Sequence, residues 1–421
     1  MARWLRASRS ILFHHILCFV TCLLLYHIVL TYVWKKHKNS NDIKLQDRFS
    51  ESLQIRSNFH EKREPNSDIQ TRRNYSILFW KESKRMLKRF LRSYGSDELD
   101  PFALCSVRNC YIETDNERGL LESDAVVFHL HRIAGPHKLP LRPRMHPPLQ
   151  RWVFFTDESP LNTFLVTNQY QMSDYNGVFN WSMTYRRDSD VYVPYGRTVL
   201  MSLDEQQIAQ EGFRNRNFAA DKTKFAAILI SNCGGSNKRL QYLRELKKHI
   251  PLDTFGKCGK AVCPGHFRMD CALLREYKFY LAFENSNCRE YITEKLWWNA
   301  FQKEIVPVVM GAPRDDYEEV CPPHSFIHVD DFESPFSLAE YLIRVNGSDD
   351  IYNTFFRWKE NYKVVNEHGY FGSYTSHICR LCEALNSRRN NETKVYDRLE
   401  NFWSAKLDCF RPQWSISKNV N

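Results

Sequence analysis

Residues Tyr277 to Ala300 read Y-K-F-Y-L-A-F-E-N-S-N-C-R-E-Y-I-T-E-K-L-W-W-N-A. The apolar run Phe279–Phe283 shows no polar alternation, the pattern of a strand covered on both faces. It stops at a polar turn, Glu284-Asn285-Ser286-Asn287, and a helix is expected next, with Thr293, Glu294 and Lys295 in or near its first turn. Strand, polar turn and charged helix start are the parts with which α/β proteins hold a phosphorylated ligand at a sheet edge.

Outward from this stretch, strands and helices keep alternating. Upstream lie a strand, Lys224–Ser231, and a helix, 238–249; downstream lie strands at Ile305–Met310 and Ser325–Val329, then helices at 335–345 and 351–362. An earlier series holds strands Ala125–Leu130 and Trp152–Phe155, separated by a proline-rich surface loop, Pro136–Pro148. Such alternation argues for parallel α/β sheets with ligands at their carboxyl edges. Two series with a hinge near 200–220 imply two Rossmann-like domains facing across a cleft, at 101–215 and 216–385, with a C-terminal tail at 386–421.

The first hundred residues differ in kind. Arg3, Arg6 and Arg9 precede an apolar run at 11–34, which Lys35, Lys36 and Lys38 close. The run approaches the ~20 residues that span a bilayer and carries no small-residue cleavage site, so it reads as a retained anchor after a 1–10 cytoplasmic tail. Residues 35–100 are charged and polar and read as a stem. Of 13 cysteines, eleven follow the anchor, as do four glycan acceptors, Asn74, Asn180, Asn346 and Asn391. This fits a secretory lumen, where disulfides persist. The pair Cys379-x-x-Cys382 fits a disulfide role or a zinc site, whose second pair would be Cys105 and Cys110. The net charge of +10 is spread along the chain without a nucleic-acid-binding signature, and an anionic substrate accounts for it more simply.

Three patches carry chemistry. Ser231-Asn-Cys-Gly-Gly-Ser-Asn-Lys-Arg239 leaves a strand and opens a helix; its glycines let backbone amides approach a phosphate, and Arg239 adds a bidentate donor. In the opening stretch Lys295 suits a phosphate, Glu294 suits sugar hydroxyls, and Asn285 and Tyr291 offer further donors. Thr156-Asp157-Glu158-Ser159-Pro160 follows a strand, and both Asp157 and Glu158 are placed to act as a general base. Asp188-Ser-Asp190 mimics a D-x-D metal motif but lacks its usual place after a strand, and is read as structural, as are Asp315-Asp316 and Asp330-Asp331.

At these patches the chain resembles the α1,3-fucosyltransferase family, glycosyltransferase family 10. The opening stretch resembles that family's donor signature. Phe179–Asp190, the Glu158-Ser-Pro160 turn and Phe326–Phe332 match as well. The resemblance implies an inverting enzyme of GT-B fold, anchored in the Golgi membrane as a single-pass type II protein with its catalytic domain in the lumen. Its donor would be GDP-β-L-fucose and its acceptor the 3-OH of a GlcNAc in a glycoprotein glycan, with no metal required and a divalent ion at most stimulatory. By position, Glu158 is implied as the base, and Arg239 and Lys295 as pyrophosphate ligands. Asn285, Tyr291 and Glu294 would bind nucleotide or fucose, and Tyr185 and Arg186 lie in a motif near the donor. A pairing of Cys105 and Cys110 with Cys379 and Cys382 resembles the family's tie between chain ends. The Cys288 motif resembles the branch acting on the N-glycan core, whereas Tyr185–Gly196 resembles the Lewis-type branch, so core and antenna acceptors both stand. The other class of reading is a catalytically silent glycan-binding or scaffold protein on the same fold.

Overall fold

The computed structural model describes residues 73–91, 100–141, 149–164, 169–214, 216–260, 263, 270–370, 373, 375–387, 394–412 and 414. The expected tail, anchor and most of the stem, with Asn391, lie outside them. Among the described residues no helix is long and apolar enough to cross a membrane.

Six strands, β1 (Tyr75–Phe79), β2 (Cys110–Glu113), β3 (Ala125–His129), β4 (Arg151–Phe155), β5 (Trp181–Thr184) and β6 (Val191–Tyr192), form one sheet in the order β2-β1-β3-β4-β5-β6. Every pairing in it is parallel. After β7 (Gly196–Leu200), five more strands, β8 (Lys224–Leu229), β9 (Leu252–Phe255), β10 (Tyr277–Phe283), β11 (Val306–Met310) and β12 (Ile327–His328), form a second parallel sheet in the order β12-β11-β10-β8-β9. A last strand, β13 (Tyr362–Asn366), pairs antiparallel with β7. Counted from its own first strand, each sheet runs second-first-third-fourth-fifth, and the first sheet adds a sixth. That is a doubly wound order, whose ligand crevice lies at the carboxyl ends where the winding reverses. In the second sheet this point falls between β8 and β10, where the Ser231 and Glu284 turns emerge.

Side-chain alternation explains the unbroken apolar runs. In β10, Phe279, Leu281 and Phe283 pack into one core cluster while Tyr280 and Ala282 pack into another. In β1, Ile77 and Phe79 face one cluster and Leu78 faces another. A strand buried on both sides needs no polar face. Each such side chain removed from water contributes about 1.5–3 kcal/mol.

Three expected boundaries move. The stem does not reach residue 100, because β1 lies inside the first sheet and the helix Ser83–Leu91 packs on it. That helix reads as polar, yet Met86 and Phe90, one turn apart, are buried, and the Phe90 ring lies 5.6 Å from Phe79. The second domain does not run to residue 385, because the helix His377–Leu385 returns to the first sheet. There Ile378, Leu381 and Leu385 join the cluster of Ile77 and Phe79. Residues 386–421 are not a free tail either: Trp403 is fully buried and its Nε1 donates to Thr163 Oγ1 at 2.8 Å.

Disulfides reinforce these returns. Cys105–Cys379 and Cys110–Cys382 tie the first sheet to the returning helix, as the family resemblance implied, and all four cysteines are thereby withdrawn from any zinc site. Cys233–Cys258, Cys263–Cys271 and Cys288–Cys409 are the other three among the described residues, and Cys321 is free and buried.

Candidate active site

The carboxyl edges of the two sheets meet. Glu158, beyond β4, accepts a hydrogen bond from Tyr291 OH at 3.0 Å and a longer one from Asn285 Nδ2 at 3.4 Å, both from the turn beyond β10. Beside them, Ser286 Oγ donates to Ser159 Oγ at 2.7 Å. Tyr185, beyond β5, is buried with its ring centroid 5.2 Å from that of Tyr291, and its hydroxyl has no partner among the described residues. Arg187 Nε donates to Glu290 at 3.1 Å, which fastens the Tyr185 segment to the same turn.

The choice between Asp157 and Glu158, open on sequence alone, is decided by their partners. Asp157 Oδ2 accepts from Arg89 Nη1 at 3.0 Å, and His129 Nε2 lies 3.0 Å from Oδ1. Burial works against its charge, but His129 and Arg89 outweigh it and hold the carboxyl well below the usual carboxylate range. Glu158 meets only neutral donors at hydrogen-bond distance. Burial, and after it the neighbouring Asp157 charge, push its carboxyl up to about 7, against the pull of Lys295. A carboxyl poised near neutrality can take a proton and release it; one fixed as an anion cannot.

The second sheet supplies cations. Lys295 lies on the short helix Glu294–Trp297, capped by Thr293. Its Nζ donates to Glu284 Oε2 and Thr293 Oγ1, each at 2.9 Å, and lies 3.5 Å from Glu294 Oε1. Glu284, the last polar step out of β10, is buried and also accepts from Thr293 N at 2.9 Å. Sequence reasoning passed over Glu284; its signal was an acid at a strand end with Thr-Glu-Lys a few residues further on. Arg239 opens the helix Arg239–Leu246 and is buried. Nη1 and Nη2 donate to the carbonyls of Phe283 and Asn232 at 2.9 and 2.8 Å, while Nε has no partner among the described residues. Burial lowers its pKa, against the pull of Glu284. Gly235, at φ +128°, passes close by: a Cβ there would lie 3.1 Å from the Asn285 carbonyl and 3.8 Å from Arg239 Nε.

Two expectations fail on geometry. Arg186 is not turned to the site: it pairs with Asp188, donates to Asp408 at 3.0 Å and to the Phe402 carbonyl, and stacks over Phe402 at 4.6 Å. Its donors are spent on the C-terminal segment. Asn180 is buried, accepting from Trp152 N at 3.0 Å and donating to the Lys394 carbonyl at 2.9 Å, so the folded chain cannot present it for glycosylation. Asn74 is exposed and Asn346 half-buried. Asp188 and Asp190 are engaged by Arg186, Ser182 and Tyr396.

Two doubly wound sheets meeting at one carboxyl of near-neutral affinity, backed by buried cations, define an α/β enzyme acting on an anionic ligand. Residues 72–196 match the family model described as fucosyltransferase, N-terminal, and residues 219–403 that described as glycosyltransferase family 10 (fucosyltransferase) C-term. The chain belongs to the glycosyltransferase family 10 fucosyltransferases. The N-terminal match begins at residue 72, one residue before the first described one. The chain is 41% identical over 238 residues to glycoprotein 3-alpha-L-fucosyltransferase A of Drosophila melanogaster, covering 56% of this chain and 45% of the fly protein, less than half of its length. It is 36% identical over 315 residues to alpha-(1,3)-fucosyltransferase 7 of Rattus norvegicus, covering 74% of this chain and 75% of the rat protein. A 3-galactosyl-N-acetylglucosaminide 4-alpha-L-fucosyltransferase of Bos taurus is 38% identical over 280 residues, 66% of this chain and 71% of the bovine protein. A crystal structure of an α1,3-fucosyltransferase with GDP-fucose superposes with a TM-score of 0.47 at 16% identity, covering 83% of this chain and 97% of that one.

Proposed function

We propose that the chain is an inverting enzyme of GT-B type that moves L-fucose from GDP-β-L-fucose to the 3-OH of a GlcNAc in a glycoprotein glycan. The observation that carries this reading is the seam. Glu158 of one sheet lies 3.0 Å from Tyr291 of the other, and Arg239 is buried beside it with no acidic side chain within ion-pair distance among the described residues. A buried guanidinium held only by neutral carbonyls favours an anion, and a diphosphate supplies one. The names of the fly, rat and bovine relatives support fucosyl transfer, the fly name a glycoprotein acceptor and the bovine name an N-acetylglucosaminide one.

In this reading the Glu158 carboxylate takes the proton of the acceptor hydroxyl while that oxygen attacks the anomeric carbon from the face opposite GDP. The sugar passes through an oxocarbenium-like state, as in glycoside hydrolysis. Negative charge grows on the departing GDP. Arg239 and Lys295 stabilise it with side-chain charge placed in advance, the role a metal ion plays elsewhere. Glu294, released from Lys295 by the incoming phosphates, is free to accept from fucose hydroxyls, and Asn285, Tyr291 and the unpartnered Tyr185 hydroxyl complete the donor side. Five disulfides among the described residues suit an oxidising lumen, and with an anchor at 11–34 the enzyme is read as a type II Golgi protein.

The test is transfer of labelled fucose from GDP-fucose by the full chain in detergent to an array of N-glycan cores, LacNAc and LacdiNAc antennae, with product linkage read by NMR. Label on GlcNAc O3 in one of these classes is the expected result and names the acceptor. Glycan binding without any transfer would instead support the silent, scaffold-type protein.

A further inference from the structure

We infer that Arg89 and Asp157 are positioning residues for Glu158: a buried ion pair that pins the turn bearing the base and sets a permanent negative charge beside it. The inference rests on the proposed role of Glu158. Asp157 is gripped from four separate parts of the chain. Arg89, from the helix Ser83–Leu91, donates to Oδ2 at 3.0 Å, and His129, at the end of β3, lies 3.0 Å from Oδ1. Tyr370, beyond β13, reaches Oδ2 at 3.4 Å, and Tyr195, just before β7, donates its hydroxyl to the Asp157 carbonyl. Arg89 is itself fixed, its Nε and Nη2 donating to the His368 carbonyl at 3.0 and 2.8 Å. With Glu158 N donating to Thr156 Oγ1 at 3.2 Å and Ser159 bonded to Ser286, the turn around Glu158 is held on every side. The Glu158 carboxylate itself is held by the Tyr291 hydroxyl and the Asn285 amide.

The charges around this pair are few. Facing Asp157 are Arg89, His129, His131, His368, His377, Tyr195, Tyr370 and Glu158. Burial keeps His368 and His377 neutral, and His131 is lowered in the same way. Facing Glu158 are Asp157, Lys295, Arg239, Tyr291, Tyr185, Tyr195, Tyr370 and Asn285. Asp157 is thus an anion that works to keep a proton on Glu158, and Arg89 is what lets that anion stay buried. A general base does best when its proton affinity sits near the working pH, so this arrangement tunes Glu158 as well as aiming it.

The test is a set of full-chain variants read by kcat, donor KM, the pH profile of kcat/KM, and a melting curve with GDP. Asp157→Asn is expected to lower kcat about 10–100-fold, as misplacement of a reacting group does, with donor KM unchanged. Its acid-side limb is expected to move down by about half to one pH unit once the neighbouring charge is gone. If Asp157→Asn leaves Arg89 unpaired and the chain unfolded, the double variant Arg89→Gln/Asp157→Asn removes both charges and carries the same expectation. Arg89→Lys keeps both charges but loses the fork, and should retain the wild-type limb with a lowered kcat. A folded Asp157→Asn or double variant with the wild-type limb and kcat overturns the inference, as does wild-type kcat in Arg89→Lys. Failure of the underlying reading looks different: the wild-type enzyme would then show no acid-side limb, or Glu158→Gln would keep it.

Discussion

Glu158 and Glu284 both lie just past the carboxyl end of a strand, β4 and β10; Glu284 is buried and Glu158 half-buried. Their partners separate them. Glu284 accepts from the Lys295 ammonium at 2.9 Å and from Thr293, whereas Glu158 accepts only from Tyr291 and Asn285. The arginines divide in the same way. Arg186 is matched by Asp188 and Asp408, while Arg239 has only carbonyls. A buried charge matched inside the chain helps build the site, and in the proposed reading Lys295 is matched this way while also meeting the donor; Arg239, held only by carbonyls, is left for substrate. Residue type and place at a sheet edge do not distinguish the two.

The sharpest way to break this contrast is at Glu158. Glu158→Gln keeps the hydrogen-bonding shape and removes the base, so turnover should fall by roughly 10²–10⁴ while GDP affinity holds. Turnover close to wild type would take Glu158 out of the role. At the paired acid the loss should appear in stability. Glu284→Gln leaves Lys295 only the more distant Glu294, and breaking a buried ion pair costs up to about 3–5 kcal/mol. A melting curve should register that loss, and a second substitution, Lys295→Met, should recover part of it. Wild-type stability in Glu284→Gln would mean that the pair does not hold the turn.

The two arginines give a smaller but cleaner comparison. Arg239→Lys gives up the planar fork aimed at a diphosphate, and a charge-assisted hydrogen bond is worth about 1.5–3 kcal/mol, so GDP should bind roughly 10–100-fold more weakly by calorimetry. Arg186→Lys should leave GDP affinity unchanged and lower only the melting temperature. Weakened GDP binding in Arg186→Lys would return that residue to the donor side.

The readable parts of this chain were local ones. β10 announced itself because a strand covered on both faces is apolar throughout, and the Glu158 turn because Asp-Glu-Ser-Pro directly follows such a strand. The hidden parts depend on distance along the chain. Arg89 meets Asp157 across 68 residues and His368 across 279, and no periodicity records such a meeting. The helix Ser83–Leu91 reads as stem because five of its nine residues are Ser, Lys or Arg, and its buried stripe is just Met86 and Phe90 with the buried Arg89 between. The closing segment reads as tail for a related reason: its buried apolar anchors among the described residues are just Leu399 and Trp403, too few to make a pattern. Arg186 was misplaced because one of the acids that claim it, Asp408, lies 222 residues further along the chain, where no local pattern points to it.

The smallest effect is a pH dependence of stability, and its sign separates Glu158 from its neighbour. Folding pushes the Glu158 carboxyl up to about 7 from its ordinary 4.5, chiefly by burial, so its protonated form is the one folding favours. Its contribution is whole below the ordinary value and is lost as the pH rises through about 7. Asp157 runs the other way. Its depressed carboxyl contributes above its ordinary 3.8 and loses that contribution only in acid, as the pH falls through the still lower folded value. Between about pH 5 and about pH 8 Asp157 is therefore constant, and Glu158 alone of the two costs stability, about 1–3 kcal/mol. Glutamine cannot titrate. Melting curves of the wild type and Glu158→Gln should therefore diverge as the pH rises across that window, with the variant gaining. A difference that stays flat would show that Glu158 is an ordinary solvated carboxylate in the folded chain, and the contrast with Glu284 would collapse with it.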